Sequence, residues 1–168
     1  MNEKHYETAR LWFEPLQANV AEFIRELLNS QGWLQFIGNR NVNTLADAEA
    51  YIQKVTTHPD LDYYTVFLKE NRRPIGILTV IQRDYLDFPD LGFAFLPHYS
   101  GKGYAFEAAA CLLTELTKTH ETLFAVTMKE NQSSIQLLER LGFVREREVE
   151  QGGVSLWVYA YSKPHSSK

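Results

Sequence analysis

Residues 90–108, DLGFAFLPHYSGKGYAFEA, join three kinds of sequence in one run. The apolar stretch DLGFAFL, residues 90–96, reads as a strand buried on both faces, as in the middle of a sheet. Pro97 stops it, and a loop with two glycines around a lysine leads into Tyr104–Thr117, where Ala105, Ala108, Ala109, Leu112 and Leu116 recur at helical spacing. A strand that enters a helix through such a loop places the unpaired N–H groups of the first helical turn, and the positive end of the helix dipole, beside a backbone without side chains. That arrangement can cradle a phosphate or pyrophosphate. The same glycines serve a plain tight turn equally well, since short glycine patterns also arise by chance. The loop lacks the GxxxxGK pattern followed by Ser or Thr, which disfavours a magnesium-nucleotide loop.

Working outward, a short strand is expected around Ala9–Glu14. Val20, Phe23, Ile24, Leu27 and Leu28 then lie on one helix face. In residues 43–55, NTLADAEAYIQKV, Thr44 is placed to cap a second helix with Asp47 three residues on. The period then changes to that of strands, at residues 63–69 and 74–82, with ENRR between them as a hairpin loop. Beyond the central run come a strand at 122–128, a helix capped by Asn131, and two strands at 143–150 and 154–162 joined by Gly152 and Gly153. The sum is one α+β domain over residues 1–163, a mixed and mostly antiparallel sheet of about seven strands flanked by about four helices. Residues 164–168 read as a disordered tail.

Composition narrows the function classes. A chain of 168 residues, 45% hydrophobic and 23% charged, is long enough to bury a core, and no apolar run approaches the ~20 residues a membrane helix needs. A net charge of −4 without a basic block disfavours nucleic acid as the main partner. The N-terminus carries no apolar signal segment, and the single Cys111 reads as a small buried thiol, so a reducing cytoplasmic location is expected. His5, His58, His98, His120 and His165 show no metal-ligand spacing, so no metal is expected. No GxSxG turn supports a serine hydrolase.

The run LGFAFLPHYSGKGYAFEA, residues 91–108, followed by MKENQSSIQLLERLGF, residues 128–143, resembles the two central motifs of the GNAT acetyltransferase superfamily. With FIGNRNVNTLADAEAYI and LWVYAYSK the resemblance spans nearly the whole chain, and it is nearest the branch of ribosomal-protein N-terminal (Rim-type) acetyltransferases. It implies an N-acetyltransferase that moves acetyl from acetyl-CoA to a primary amine, on a peptide N-terminus or a small molecule, by direct attack in a ternary complex. No nucleic acid and no membrane enter that expectation, and a homodimer is compatible with it. The resemblance assigns the cofactor pyrophosphate to Ser100, Gly101, Lys102, Gly103, Tyr104 and Ala105, with Ser100 where Gln or Arg is usual. It implies that the preceding strand splays from its neighbour, so that free backbone groups around Phe93, Phe95 and Leu96 hold the pantetheine arm and the acetyl carbonyl.

Asn131 matches an asparagine that contacts coenzyme A, although a helix cap alone would also explain it. An amine must lose a proton, which makes a carboxylate the expected base. Asp90 occupies the position where some relatives carry a glutamate base, with Glu148 and Glu150 as alternatives, and a solvated turn aspartate is the other reading of Asp90. The family's proton-donating tyrosine, seven residues after the asparagine, falls on Leu138, which cannot donate. Ser134 then becomes the candidate to bond the leaving sulfur, or else serves close packing. Leu138 and Ser100 keep a non-catalytic coenzyme A-binding module open as the rival class, and a structural domain without cofactor as a third.

Overall fold

The computed structural model describes residues 4–164, so the expected tail lies almost wholly outside the described residues. Eight strands form one sheet: β1 Tyr6–Glu7, β2 Leu11–Pro15, β3 Leu61–Leu68, β4 Pro74–Ile81, β5 Asp90–Phe95, β6 Thr122–Met128, β7 Val144–Gln151 and β8 Val154–Ser162. Their spatial order is β1-β2-β3-β4-β5-β6-β8-β7, and every neighbouring pair is antiparallel except β5 and β6. Among the described residues five α-helices accompany them, α1 Ala21–Leu28, α2 Gln31–Phe36, α3 Leu45–Thr56, α4 Tyr104–Leu116 and α5 Gln132–Leu141, with single 3-10 turns at Ala18–Val20 and Pro97–Tyr99.

Strand alternation divides the core into two layers. On β4, Ile77 packs with Ile24, Leu27 and Ile52 of α1 and α3 on one face, while Leu78 packs with Leu112 of α4 and Leu138 of α5 on the other. A strand clothed on both sides reads as continuously apolar, which is why PIGILTVI shows no alternation. The outermost strand β7, VREREVEQ, is exposed along nearly its whole length, and its row of charges blunts a free sheet edge. The expected capping box on α3 is present: Asp47 N–H donates to Thr44 Oγ1 at 3.0 Å and Thr44 N–H to Asp47 Oδ2 at 3.1 Å.

Two elements exceed the sequence expectation. Strand β1 has two residues and α2 only six, with Gly32 inside it, so neither is long enough to show a period. Both are held by packing: Tyr6 stacks on Phe13 at 4.9 Å, and Trp33 is buried against the α1–α3 layer.

Gly92 faces Thr79 across the β4–β5 ladder, and a Cβ there would stand 2.5 Å from Thr79 Oγ1. Gly92→Ala should therefore destabilise the protein by about 1–3 kcal/mol, the usual cost of overpacking. Urea unfolding of Gly92→Ala in the wild-type and Thr79→Ala backgrounds checks this, because the penalty should largely vanish once the hydroxyl is gone.

Candidate active site

Strands β5 and β6 share a single paired position, Asp90 with Phe124, secured by the Phe124 N–H bond to Pro89 O at 2.8 Å. Beyond it they diverge. The Leu96 N–H bonds Ile75 O at 2.9 Å, and in an antiparallel ladder alternate residues point to the same neighbour. The backbone groups of residues 90, 92, 94 and 96 therefore face β4, and those of Leu91, Phe93 and Phe95 face the gap. Phe93 and Phe95 present free edge groups as expected. Leu96 does not: its amide is spent on Ile75 and its side chain is buried in the α1–α3 layer.

The glycine loop closes one end of the gap. Gly101 has φ +76° and Gly103 φ +81°, a left-handed backbone that disfavours side chains, and a Cβ on Gly101 would meet open space. The loop is pinned from the turn between β1 and β2 by Arg10, which sequence spacing gave no means to find. Its Nη1 donates to Lys102 O at 3.0 Å, its Nε to Glu107 Oε1 at 2.8 Å, and its guanidinium lies 4.4 Å from the Tyr104 ring centre. Ser100 Oγ donates to Pro97 O at 2.7 Å, stiffening the turn. A cleft of about 790 Å³ runs past this loop, lined by Phe93, Phe95, Ser100, Gly101, Gly103, Tyr104, Ala105, Asn131 and Ser134. Lys102, exposed, does not line it. Left-handed glycines open to solvent at a helix start, beside an unpaired strand edge, fit a pyrophosphate followed by an amide-bearing arm, so these residues suit coenzyme A.

A second cavity, of about 170 Å³, shares the wall residues Phe93, Ala94, Asn131 and Ser134 with that cleft and continues through the fork toward α2, α3 and β3. Asp90 lines it, and it is no solvated turn residue: it is 3% exposed, with Arg83 Nε at 2.5 Å from Oδ2 and the Val126 amide near enough to favour its charged form. Burial pushes its carboxyl above the ordinary carboxylate range, against the pull of Arg83 and of that amide. Asn131 Oδ1 accepts from the Ser134 N–H at 3.3 Å, which makes it the cap of α5 as well as a wall residue. Leu138 is 1% exposed and closes the floor with an apolar side chain.

Glu148 pairs with Lys129 at 2.7 Å on the edge strand, and neither it nor Glu150 lines either cavity. His98 also stands outside both. Among the described residues no three His, Cys, Asp or Glu side chains converge as a metal site. Arg83, Trp33, Arg40, Tyr51 and Tyr63, all lining the smaller cavity, had no signal in local spacing, because the fold alone brings them there.

Residues 10–144 match the family model described as "Acetyltransferase (GNAT) domain". The chain belongs to the GNAT acetyltransferase family. A GNAT relative in Bacillus subtilis (strain 168), described as "Uncharacterized N-acetyltransferase YnaD", is 25% identical over 144 residues, 84% of each chain. Solved GNAT structures share the fold at lower identity. An acetyltransferase of Bacillus anthracis superposes with a TM-score of 0.78 at 22% identity, covering 95% of this chain and 98% of that one. The ribosomal-protein-S5-alanine acetyltransferase of Vibrio fischeri also gives 0.78, at 17% identity over 96% of this chain and 100% of that one.

If Asp90 takes the amine proton, kcat/KM should fall as pH drops through its raised pKa, because the protonated acid cannot act as a base. Arg83 lowers that pKa, so Arg83→Gln should move the acid limb to higher pH. A pH–rate profile of wild type, Arg83→Gln and Asp90→Asn checks both, and Asp90→Asn should lose roughly 10²–10⁴ in kcat/KM together with the limb. An unmoved limb would assign Asp90 a purely structural role.

Proposed function

We propose that the protein is an acetyl-CoA-dependent N-acetyltransferase acting on a primary amine, in a ternary complex, with the acceptor a peptide N-terminus or a small molecule. One observation carries this reading: the cleft beside the glycine loop and the cavity that holds Asp90 share a wall at the fork of β5 and β6. A donor held in the first and an amine held in the second would meet there. Resemblance to the Rim-type branch is supported by fold neighbours described as ribosomal-protein acetyltransferases, and another neighbour is described as a spermidine N-acetyltransferase, so both acceptor classes remain within the reading. A half-buried Cys111 as the single cysteine supports a reducing cytoplasm.

Acetyl-CoA would supply an acetyl group activated as a thioester. Gly101, Gly103, Tyr104 and Ala105 would hold its pyrophosphate through backbone N–H groups, and Asn131 would line its path. The free N–H groups of Phe93 and Phe95 are available to a carbonyl oxygen on which negative charge develops. Asp90 would take the amine proton, directly or through water, as the new N–C bond forms and the C–S bond breaks. Ser134 would donate toward the departing sulfur, a role that buried Leu138 cannot perform. The rival reading, a coenzyme A-binding module without turnover, draws its support from Leu138 and from Ser100 in place of the usual Gln or Arg. Acetyl-CoA consumption over a panel of amines and peptides, with products identified by mass spectrometry, separates the two.

Two variants test the parts. Gly101→Asp and Gly101→Asn carry side chains of the same shape into the same left-handed position, which both tolerate. Only aspartate adds a negative charge beside the pyrophosphate, so calorimetry should find acetyl-CoA bound at least about tenfold more weakly by Gly101→Asp, equal to about 1.4 kcal/mol. Ser134→Ala should slow single-turnover transfer by roughly 5–150-fold, the loss of about 1–3 kcal/mol from one hydrogen bond. A rate equal to wild type would make solvent the proton donor.

A further inference from the structure

The smaller cavity carries three charged side chains, Arg40, Arg83 and Asp90. Arg83 and Asp90 neutralise each other. Arg40, solvent-exposed at the cavity's rim in the loop between α2 and α3, is left over: among the described residues no carboxylate pairs with it, and its guanidinium lies by the Tyr51 hydroxyl. Trp33, in the wall between this cavity and the larger cleft, is 6% exposed, and its Nε1 is buried without a hydrogen-bond partner. A buried N–H left unpaired is costly, so such a donor marks a place where an acceptor atom belongs. The two tyrosines of this wall, Tyr51 and Tyr63, share one bond at 3.3 Å between their hydroxyls and keep further capacity. The cavity thus has an excess of positive charge and of unfilled donors, at a volume of about 170 Å³, roughly five or six waters at ~30 Å³ each.

We propose that the amine acceptor is a small molecule that also carries an oxyanion, carboxylate or phosphate, anchored by Arg40 and the Trp33 Nε1–H while its amino group lies toward Asp90. A planar guanidinium recognises either oxyanion through two parallel hydrogen bonds. A polyamine would bring further positive charge against the unpaired Arg40, and the backbone of a peptide N-terminus would offer only neutral carbonyls there. The proposal rests on the acetyltransferase reading above, in which this cavity receives the acceptor.

Binding can be measured apart from turnover, on the full chain saturated with coenzyme A, which has no acetyl group to transfer. Calorimetric titration compares L-valine, L-valinamide and isobutylamine, then O-phosphoethanolamine and ethanolamine, with spermidine and a serine-initiated peptide as the other acceptor types. The oxyanion-bearing member of at least one series should bind at least tenfold more tightly than its neutral-tailed counterparts, and which series does so identifies carboxylate or phosphate. Arg40→Ala should abolish the preference, Arg40→Lys should keep part of it, and Trp33→Phe should weaken it severalfold with the ring retained. Equal binding within each series, tightest binding of spermidine or the peptide, no binding of any amine, or a preference unchanged in Arg40→Ala would overturn the proposal. Acetyl transfer is followed separately. Oxyanion-selective binding without transfer would defeat the enzymatic reading and leave the anchoring site, whereas transfer without selectivity would do the reverse.

Discussion

The parting of β5 from β6 after a single paired position is the constraint around which the rest of the molecule is arranged. An unpaired strand edge in a protein interior is costly, because each buried N–H and C=O has lost its water and gained no partner. Here the edge is tolerated because it lines a cavity, with the buried carboxylate of Asp90 beside the point where pairing stops. In a continued parallel pairing the Val126 amide would bond the Leu91 carbonyl. The Asp90 carboxylate lies there instead, its charge favoured by that amide and balanced by Arg83. The residue that ends the pairing is therefore the one whose acidity faces the cavity.

The other end of β5 is controlled from a distance. Glu107, in the first turn of α4, accepts from the Arg10 guanidinium, the Arg10 backbone N–H and the Thr8 hydroxyl, tying the β1–β2 region to the helix. Arg10 is 45% exposed in its side chain, so its Coulomb attraction to Glu107 is worth little by itself. Its value is geometric, since the same guanidinium holds the Lys102 carbonyl and covers the Tyr104 ring, which fixes the glycine loop in the open form that a phosphate needs. In the proposed reaction the two ends of one strand would thus serve different chemistry: a loop of backbone donors for an anion, and a buried carboxyl for a proton.

Leu138 shows how local packing sets limits on the chemistry. It belongs to the core beneath α5, where a leucine fills space that a phenol would have to share. With an apolar floor there, Leu138 has no proton to give a leaving sulfur, and the proposed reaction would draw on Ser134 or water for one. A thiolate leaves readily enough for the proposed reaction to tolerate that arrangement, and the leucine meanwhile fills the core.

Much of the architecture was legible in the chain, because helices and strands are written as periods of local sequence and both core layers follow from them. The strand-loop-helix run at residues 90–108, the Thr44–Asp47 capping box and the Asn131 cap could all be read without a structure, since each depends on residues a few positions apart. The two-residue β1 and the six-residue α2 could not, being too short to show a period and formed only by what they pack against. The site divided along the same line. Gly101, Gly103 and Asn131 announced themselves through motif spacing, whereas the spent amide of Leu96, the burial of Asp90 and its bond to Arg83, and the clamp of Arg10 on Glu107 were decided by tertiary structure. Spacing along a chain reports which residues share an element. Which backbone groups are already paired, and which charges are out of water, depends on strands and helices that meet only when the whole sheet has closed.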